Sequence, residues 1–79
     1  MTTLTHAVGD TLRFLRQERN MTLRTLSDKA HVAMGHISDV ERGRKQASNQ
    51  MLEALANGLD LSISDFIGEI YDYLKEGDK

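Results

Sequence analysis

Positions 32–45 carry the side chains whose types and spacing point most directly to a chemical function. This stretch has the pattern of a short helix, with apolar Ile37 and Val40 toward a core and small or polar residues on the opposite face. Glu41 stands at its end, Gly43 supplies a stop, and two cations follow. A helix of this kind can enter the major groove of DNA while the basic loop after it binds phosphates.

Cationic and amide side chains around Gly43 form the predicted phosphate-binding loop. If about four to six phosphates are neutralised, log K should fall with log salt at a slope of roughly −4 to −5 per bound subunit. The residues expected to contact the DNA backbone are Thr22, His36, Arg42, Arg44, Lys45 and Gln46, with further contributions from Arg13 and Arg24.

Other kinds of chemistry have little support in the sequence. The histidines at positions 6, 31 and 36 lack metal-ligand spacing, and the chain has no cysteine, so no metal site is expected. No glycine-rich phosphate loop, Ser-His-Asp set or paired-carboxylate cleft can be assembled. We therefore expect no enzyme, no catalytic residue, no cofactor and no small-molecule ligand.

The charges are divided unevenly along the chain, whose net charge is −2. Residues 1–50 hold eight Lys or Arg against five acids, and residues 51–79 hold two Lys against seven acids. This pattern is compatible with one face for phosphate and another turned away from it. Charge alone, however, favours an ordinary solvated surface.

The length of 79 residues predicts one domain, 1–79, with one small core. The absence of cysteine fits a reducing compartment. No apolar run is long enough to span a bilayer, and no signal sequence is recognisable at the start. We therefore expect a cytoplasmic location.

The spacing of apolar residues predicts an all-α fold of five helices. Helix one is expected from an N-cap at Thr5 to Arg19, helix two at 23–30, and helix three at 34–42. Helix four is expected to be capped by Ser48 or Asn49 and to end near Leu59, and helix five is expected at about 63–75. The residues expected to face the core are Leu4, Val8, Leu12 and Leu15 on helix one, Leu52, Leu55, Ala56 and Leu59 on helix four, and Phe66 and Ile67 on helix five.

Local signals mark the helix ends. Thr22 is expected to cap helix two, Ser62 to cap helix five, and Asn20 to take the left-handed conformation after helix one. In the turn before helix three, either His31 tolerates a similar backbone or the turn shifts. Ala33 leaves helix three without a side-chain cap.

The motifs Thr22-Leu23-Arg24, Leu12-Arg13-x-Leu15-Arg16, Leu52-x-x-Leu55-Ala56 and the run from Gly35 to Gly43 resemble the Cro/repressor-type (XRE) helix-turn-helix family over about residues 8–68. With Gly9-Asp10 and Ala47-Ser48 added, the chain is most similar to the ClgR-type transcriptional activators. The resemblance implies a lambda-repressor-like domain with its helix-turn-helix at about 22–42. It also implies a partly buried salt bridge between Arg16 and Glu41, and base readout by Met34, Gly35, Ser38 and Asp39. Asp39 would need a partner near phosphates, either Arg42 or a cytosine.

Helix five is longer than a minimal domain of this type needs. We expect its far end to pair with a second copy of the chain, through Ile70, Tyr71, Tyr73 and Leu74.

The predicted function is a sequence-specific, homodimeric transcriptional regulator, with a lean toward activation. It would act on a pseudo-palindromic double-stranded DNA site, with RNA polymerase or a regulatory protein as a further partner. The alternative is a protein-interaction module on the same fold, such as an antitoxin or antirepressor, which the acidic balance and Asp39 keep open.

Overall fold

The computed structural model describes residues 3–77, and this part of the chain contains five α-helices and no strand. The ends of the predicted domain, residues 1–2 and 78–79, lie outside the described residues. The all-α prediction is confirmed. The helices are α1 (Leu4–Glu18), α2 (Leu23–Ala30), α3 (Met34–Glu41), α4 (Asn49–Gly58) and α5 (Ile63–Gly77).

Side-chain caps begin four of the helices. The hydroxyls of Thr22, Ser48 and Ser62 accept hydrogen bonds from the backbone N–H three residues further on, at 3.0 to 3.2 Å. The predicted caps of α2 and α5, and the Ser48 alternative for α4, are confirmed. The predicted cap Thr5 is wrong, because Thr3 accepts the N–H of His6 at 3.2 Å and α1 begins at Leu4.

Three helices are followed by a residue that has a positive φ although it is not glycine. Asn20 (φ 55°) follows α1, His31 (φ 57°) ends α2, and Asp60 (φ 60°) follows α4. Asn, Asp and His adopt this left-handed backbone more readily than other side chains do. The expectations for Asn20 and His31 are confirmed, and Ala33 gives α3 no side-chain cap, as expected.

One core receives side chains from all five helices. Its fully buried large members are Phe66, Leu12, Leu26, Ile37, Leu55, Leu59 and Val40. Two predicted core residues are wrong. Leu4 is 63% exposed because it lies in the first turn of α1, beside only a shallow groove lined by Ala47 and Leu52. Ile67 is 46% exposed because α5 turns Phe66 and Ile70 inward instead.

The burial of Ile70 corrects the expected surface for pairing with a second copy. Ile70 is 3% exposed and belongs to the core, and Leu74 and Tyr73 pack partly against that core. The reason is that α5 packs against both α1 and α4, so the domain covers α5 further along than the sequence indicates. Tyr71 remains exposed.

Tyr73 ties the far end of α5 to α1, because its hydroxyl donates a hydrogen bond to the Asp10 carboxylate. This bond, together with burial and the negative charge of Asp10, raises the pKa of Tyr73 above its ordinary value. Within residues 3–77, no helix combines the length and apolarity needed to cross a membrane.

Gly9 allows the backbone of α1 to contact the end of α3. A Cβ atom at position 9 would lie 2.3 Å from the carbonyl oxygen of Val40 and 2.9 Å from that of Glu41. Both atoms are backbone and cannot rotate away, so a side chain here would push the two helices apart.

We therefore predict that Gly9→Ala lowers the free energy of unfolding by roughly 1–3 kcal/mol, the usual cost of overpacking. Thermal denaturation without DNA measures it. Gly35→Ala is the matched control, because a Cβ at Gly35 meets nothing within 4 Å and alanine favours the helix. A Gly9→Ala melting temperature at or above that of the unmodified chain would contradict the prediction.

Candidate nucleic-acid interface

Residues 31–33 form the turn between α2 and α3. The left-handed backbone of His31 reverses the chain, and its N–H donates to the carbonyl oxygen of Ser27. The Ser27 hydroxyl donates to the carbonyl oxygen of Val32 at 2.6 Å. The turn is thus held by the preceding helix, and it sets α3 at a defined angle to α2.

The inner face of α3 is buried and its outer face is open. Ile37, Val40 and Glu41 point into the domain. The outer face consists of the exposed residues Met34, Gly35 and His36 and the half-buried residues Ser38 and Asp39. All four residues predicted to read bases therefore lie together on the outer face.

A bidentate ion pair fixes the end of α3 against α1. Arg16 donates from Nε to Glu41 Oε2 at 2.7 Å and from Nη2 to Glu41 Oε1 at 3.0 Å. Its Nη1 donates to the carbonyl oxygen of Met21 at 2.8 Å. The pair implied by the family resemblance is thus present. Its hydrogen bonds raise the pKa of Arg16, against the opposing effect of burial.

Glu41 also has a second cation nearby. Arg13 Nε lies 3.8 Å from Glu41 Oε1, and the Arg13 side chain is half exposed. The carboxylate is almost fully buried, so both arginines offset its charge. Because Glu41 balances part of the Arg13 charge, Arg13 can offer only the remaining part to a phosphate.

The cationic loop follows α3 directly. Arg42, Arg44, Lys45 and Gln46 are exposed, and Gly43 (φ 73°) turns the chain between them. The N–H of Arg44 donates to the carbonyl oxygen of Asp39 at 2.9 Å, which holds the loop to the helix.

Within the protein, the partner of Asp39 is Lys45 and not Arg42, the protein partner that the sequence left open. Asp39 Oδ2 lies 3.6 Å from Lys45 Nζ, not beside Arg42. The loop folds back over the last turn of α3, so position 45 comes nearer to Asp39 than sequence spacing indicates. Lys45 is therefore partly neutralised. Among residues 3–77, no carboxylate lies within ion-pair distance of Arg24, Arg42 or Arg44.

Thr22, one of the predicted backbone contacts, and His6, a residue outside the prediction, complete the surroundings of α3 and its loop. Thr22 is exposed at the start of α2, but its hydroxyl already accepts from the Thr25 N–H and shares a hydrogen bond with the Thr25 hydroxyl. His6 was not selected from the sequence as part of this site. Its Nδ1 lies 3.1 Å from the position that a Cβ of Gly43 would occupy. The two residues are far apart in the chain, so no local pattern could indicate this neighbour.

Two short helices joined by a tight turn, with the outer face of the second open beside a cationic loop, define a helix-turn-helix protein. Over residues 12–66 the chain matches the family model described as Helix-turn-helix. The chain belongs to this family of DNA-binding transcriptional regulators, the XRE type.

Relatives and solved structures agree with this assignment. The transcriptional regulator ClgR of Mycobacterium tuberculosis is 46% identical over 57 residues, which cover 72% of this chain and 51% of ClgR. The chain thus spans about half the length of the curated relatives it matches. The crystal structure of the clp gene regulator ClgR from C. glutamicum superposes with a TM-score of 0.82 at 33% identity, covering 91% of this chain and 94% of that one.

The restriction-modification controller protein C.Esp1396I was solved as a tetramer in complex with its natural 35 base-pair operator. It superposes with a TM-score of 0.86 at 25% identity, and the match covers 92% of this chain and 96% of that chain.

We predict that Glu41→Ala destabilises the protein even without DNA, because it leaves Arg16 without its partner in a mostly buried setting. Removing one partner of a buried pair costs about 3–5 kcal/mol. Thermal denaturation of the unbound protein measures the effect, and Arg16→Met combined with Glu41→Leu should recover much of the loss.

The control is Glu18→Ala. Glu18 pairs with Arg19 at 3.5 Å, but its side chain is 56% exposed, so its loss should change stability by less than about 1 kcal/mol. Equal losses for Glu18→Ala and Glu41→Ala would show that the Arg16–Glu41 pair has no special role.

Proposed function

We propose that this chain is a sequence-specific DNA-binding transcriptional regulator that acts as a homodimer on a pseudo-palindromic operator. The observation that carries the proposal is the open outer face of α3, which lies beside a loop whose Arg42 and Arg44 have no carboxylate within ion-pair distance among residues 3–77. The two α3 helices of a dimer would enter successive major grooves about 34 Å apart.

Base readout is assigned to the outer face of α3. Ser38 can donate to or accept from a base edge, and Met34 offers an apolar contact to a thymine methyl group. Asp39 can accept a hydrogen bond from the N4 amine of cytosine. Its pairing with Lys45 lowers the cost of bringing its charge near phosphates. Gly35 lets the backbone approach the bases.

Backbone contacts are assigned first to the cations that have no carboxylate partner among residues 3–77. Arg24, near the start of α2, and Arg42 and Arg44, after α3, can give their full charge to phosphates. Arg13 and Lys45 contribute less, because each already lies near a carboxylate. The remaining assigned contacts are the exposed Thr22, His36 and Gln46.

The dimer contact is assigned to a different face of α5 from the one expected. Ile63, Ile67 and Tyr71 are exposed at i, i+4 and i+8, and with Ser64 and Gly68 they line a shallow apolar groove. Burying this stripe against a second copy would remove apolar surface from water. Of the residues expected from the sequence, Tyr71 belongs to this stripe, whereas Ile70 is buried in the core, Leu74 packs partly against the core, and Tyr73 faces α1.

We further propose an activating role, from the resemblance to ClgR-type activators, with RNA polymerase or a regulatory protein as a further partner. The protein would act by binding rather than by catalysis, and in the cytoplasm, where bacterial DNA lies. The alternative is an antitoxin-like or antirepressor-like module. This alternative predicts that the chain does not bind any DNA duplex even at about 50 mM salt, where phosphate contacts are strong.

The proposed phosphate contacts can be tested with random duplexes and with a duplex selected for binding from a random pool. Arg44→Ala should weaken binding to selected and random duplexes by similar factors and lower the salt slope by about 1, because a cation that contacts only phosphates does not read bases. Lys45→Ala should have a smaller effect. Lys75→Ala, on α5, is the control and should change neither quantity. A loss confined to the selected duplex would mean that Arg44 reads bases.

The proposed dimer contact on α5 can be tested by substitution. Ile67→Asp with Tyr71→Asp should give a folded monomer, because both side chains are exposed in the domain. Its affinity for a full palindrome should fall much more than its affinity for a half-site. Leu4→Asp, at an exposed leucine on α1, is the control and should remain dimeric. Sedimentation decides the outcome: a monomeric unmodified chain, or a dimeric double variant, would refute the assigned contact.

A further inference from the structure

A groove between α1 and α5 is not used by the proposed DNA contacts or by the apolar dimer stripe. It has a volume of about 440 Å³. The lining residues are Thr11, Phe14, Glu69, Asp72, Tyr73 and Glu76.

The walls of the groove combine carboxylates with aromatic rings. Glu69, Asp72 and Glu76 follow one another at i, i+3 and i+7, so they lie on one face of α5. No Lys or Arg is among the lining residues. Phe14 is 59% exposed. An exposed aromatic ring attracts a cation through its π-electrons, and the neighbouring carboxylates attract it through their negative charge.

Thr11 supplies an independent observation at the floor of this groove. It is 4% exposed, and its hydroxyl oxygen has no hydrogen-bond partner among the described residues. Buried hydroxyls almost always have such a partner. A ligand group that hydrogen-bonds to Thr11 would remove this deficit.

We propose that this groove binds a basic, partly apolar segment of another protein. An arginine or lysine side chain of the segment lies over Phe14 with its charged end among the three carboxylates, and an adjacent aliphatic residue packs on the rings. The carboxylates repel phosphate, so nucleic acid does not fit here. This site goes beyond DNA recognition and does not depend on it.

The test is an NMR titration of the full 79-residue chain, labelled with ¹⁵N, against a short capped alanine-based peptide. The peptide carries two arginines and two leucines on one helical face, and a reference peptide has glutamine in place of arginine. We expect shifts centred on Thr11, Phe14 and Glu69 with the arginine peptide and weaker binding of the reference peptide. Shifts centred on α3 or on the Ile63–Tyr71 stripe would overturn the proposal, as would no binding at millimolar peptide.

Charge-matched variants separate the groove from general attraction. Glu69→Gln with Asp72→Asn should weaken peptide binding roughly fivefold, the effect expected for two exposed charge pairs. Asp28→Asn with Glu53→Gln removes the same charge from exposed positions on α2 and α4 and should leave the affinity almost unchanged. Equal losses in both variants would overturn the proposal.

Thr11→Val provides a second test, in which the melting temperature should rise while the affinity for the peptide falls. Removing an unpartnered hydroxyl should raise the melting temperature of the free protein and also weaken peptide binding. A lower melting temperature together with unchanged affinity would show that Thr11 has only a structural role, and the proposal would fail. Shifts at Thr11 and Phe14 that grow with protein concentration alone would assign the groove to a second copy instead.

Discussion

The buried ion pair between Arg16 and Glu41 is the interaction on which the position of α3, the helix that we propose reads DNA, depends. Helix α3 has only eight residues, lacks a side-chain cap and contains a glycine in its first turn, so it has little stability of its own. Its position is set by other helices. Arg16 holds Glu41 with two hydrogen bonds and the α1–α2 turn with a third, and Gly9 lets α1 approach close enough for this contact. Because desolvation offsets most of the attraction, the pair acts more by placement than by net stabilisation.

Carboxylates neutralise some cations of the described residues and leave Arg24, Arg42 and Arg44 without a partner. Glu41 balances Arg16 and partly Arg13 inside the domain, and Asp39 holds Lys45 next to α3. The arginines of α2 and of the loop after α3 are those that we propose to contact phosphates. The acids of the C-terminal end are carried mainly by α5, which packs on α1 and α4. A chain with negative net charge can therefore present a basic surface where one is needed.

Helix α5 contributes residues to three different surfaces, and its fifteen residues are enough to supply all of them. Its inward face closes the core through Phe66 and Ile70. A second face presents the apolar stripe that we assign to the dimer, and a third carries the carboxylates of the groove beside α1. Since successive residues of a helix are rotated by about 100°, fifteen residues supply several positions on each face. A shorter helix could have closed the core alone.

Local interactions are what the sequence by itself determined. The caps at Thr22 and Ser62 and the left-handed residues Asn20 and His31 depend on side chains within a few positions, so they could be predicted, and with them the five helices. Only the tertiary structure decided which residues at the edge of a helical face are buried and which distant charges meet. The residues concerned are Leu4, Ile67 and Ile70, the pair of Asp39 with Lys45, and the neighbours His6 and Gly43. The physical reason is that these outcomes depend on where the helices cross and how far each packed neighbour extends, and helical periodicity contains neither quantity.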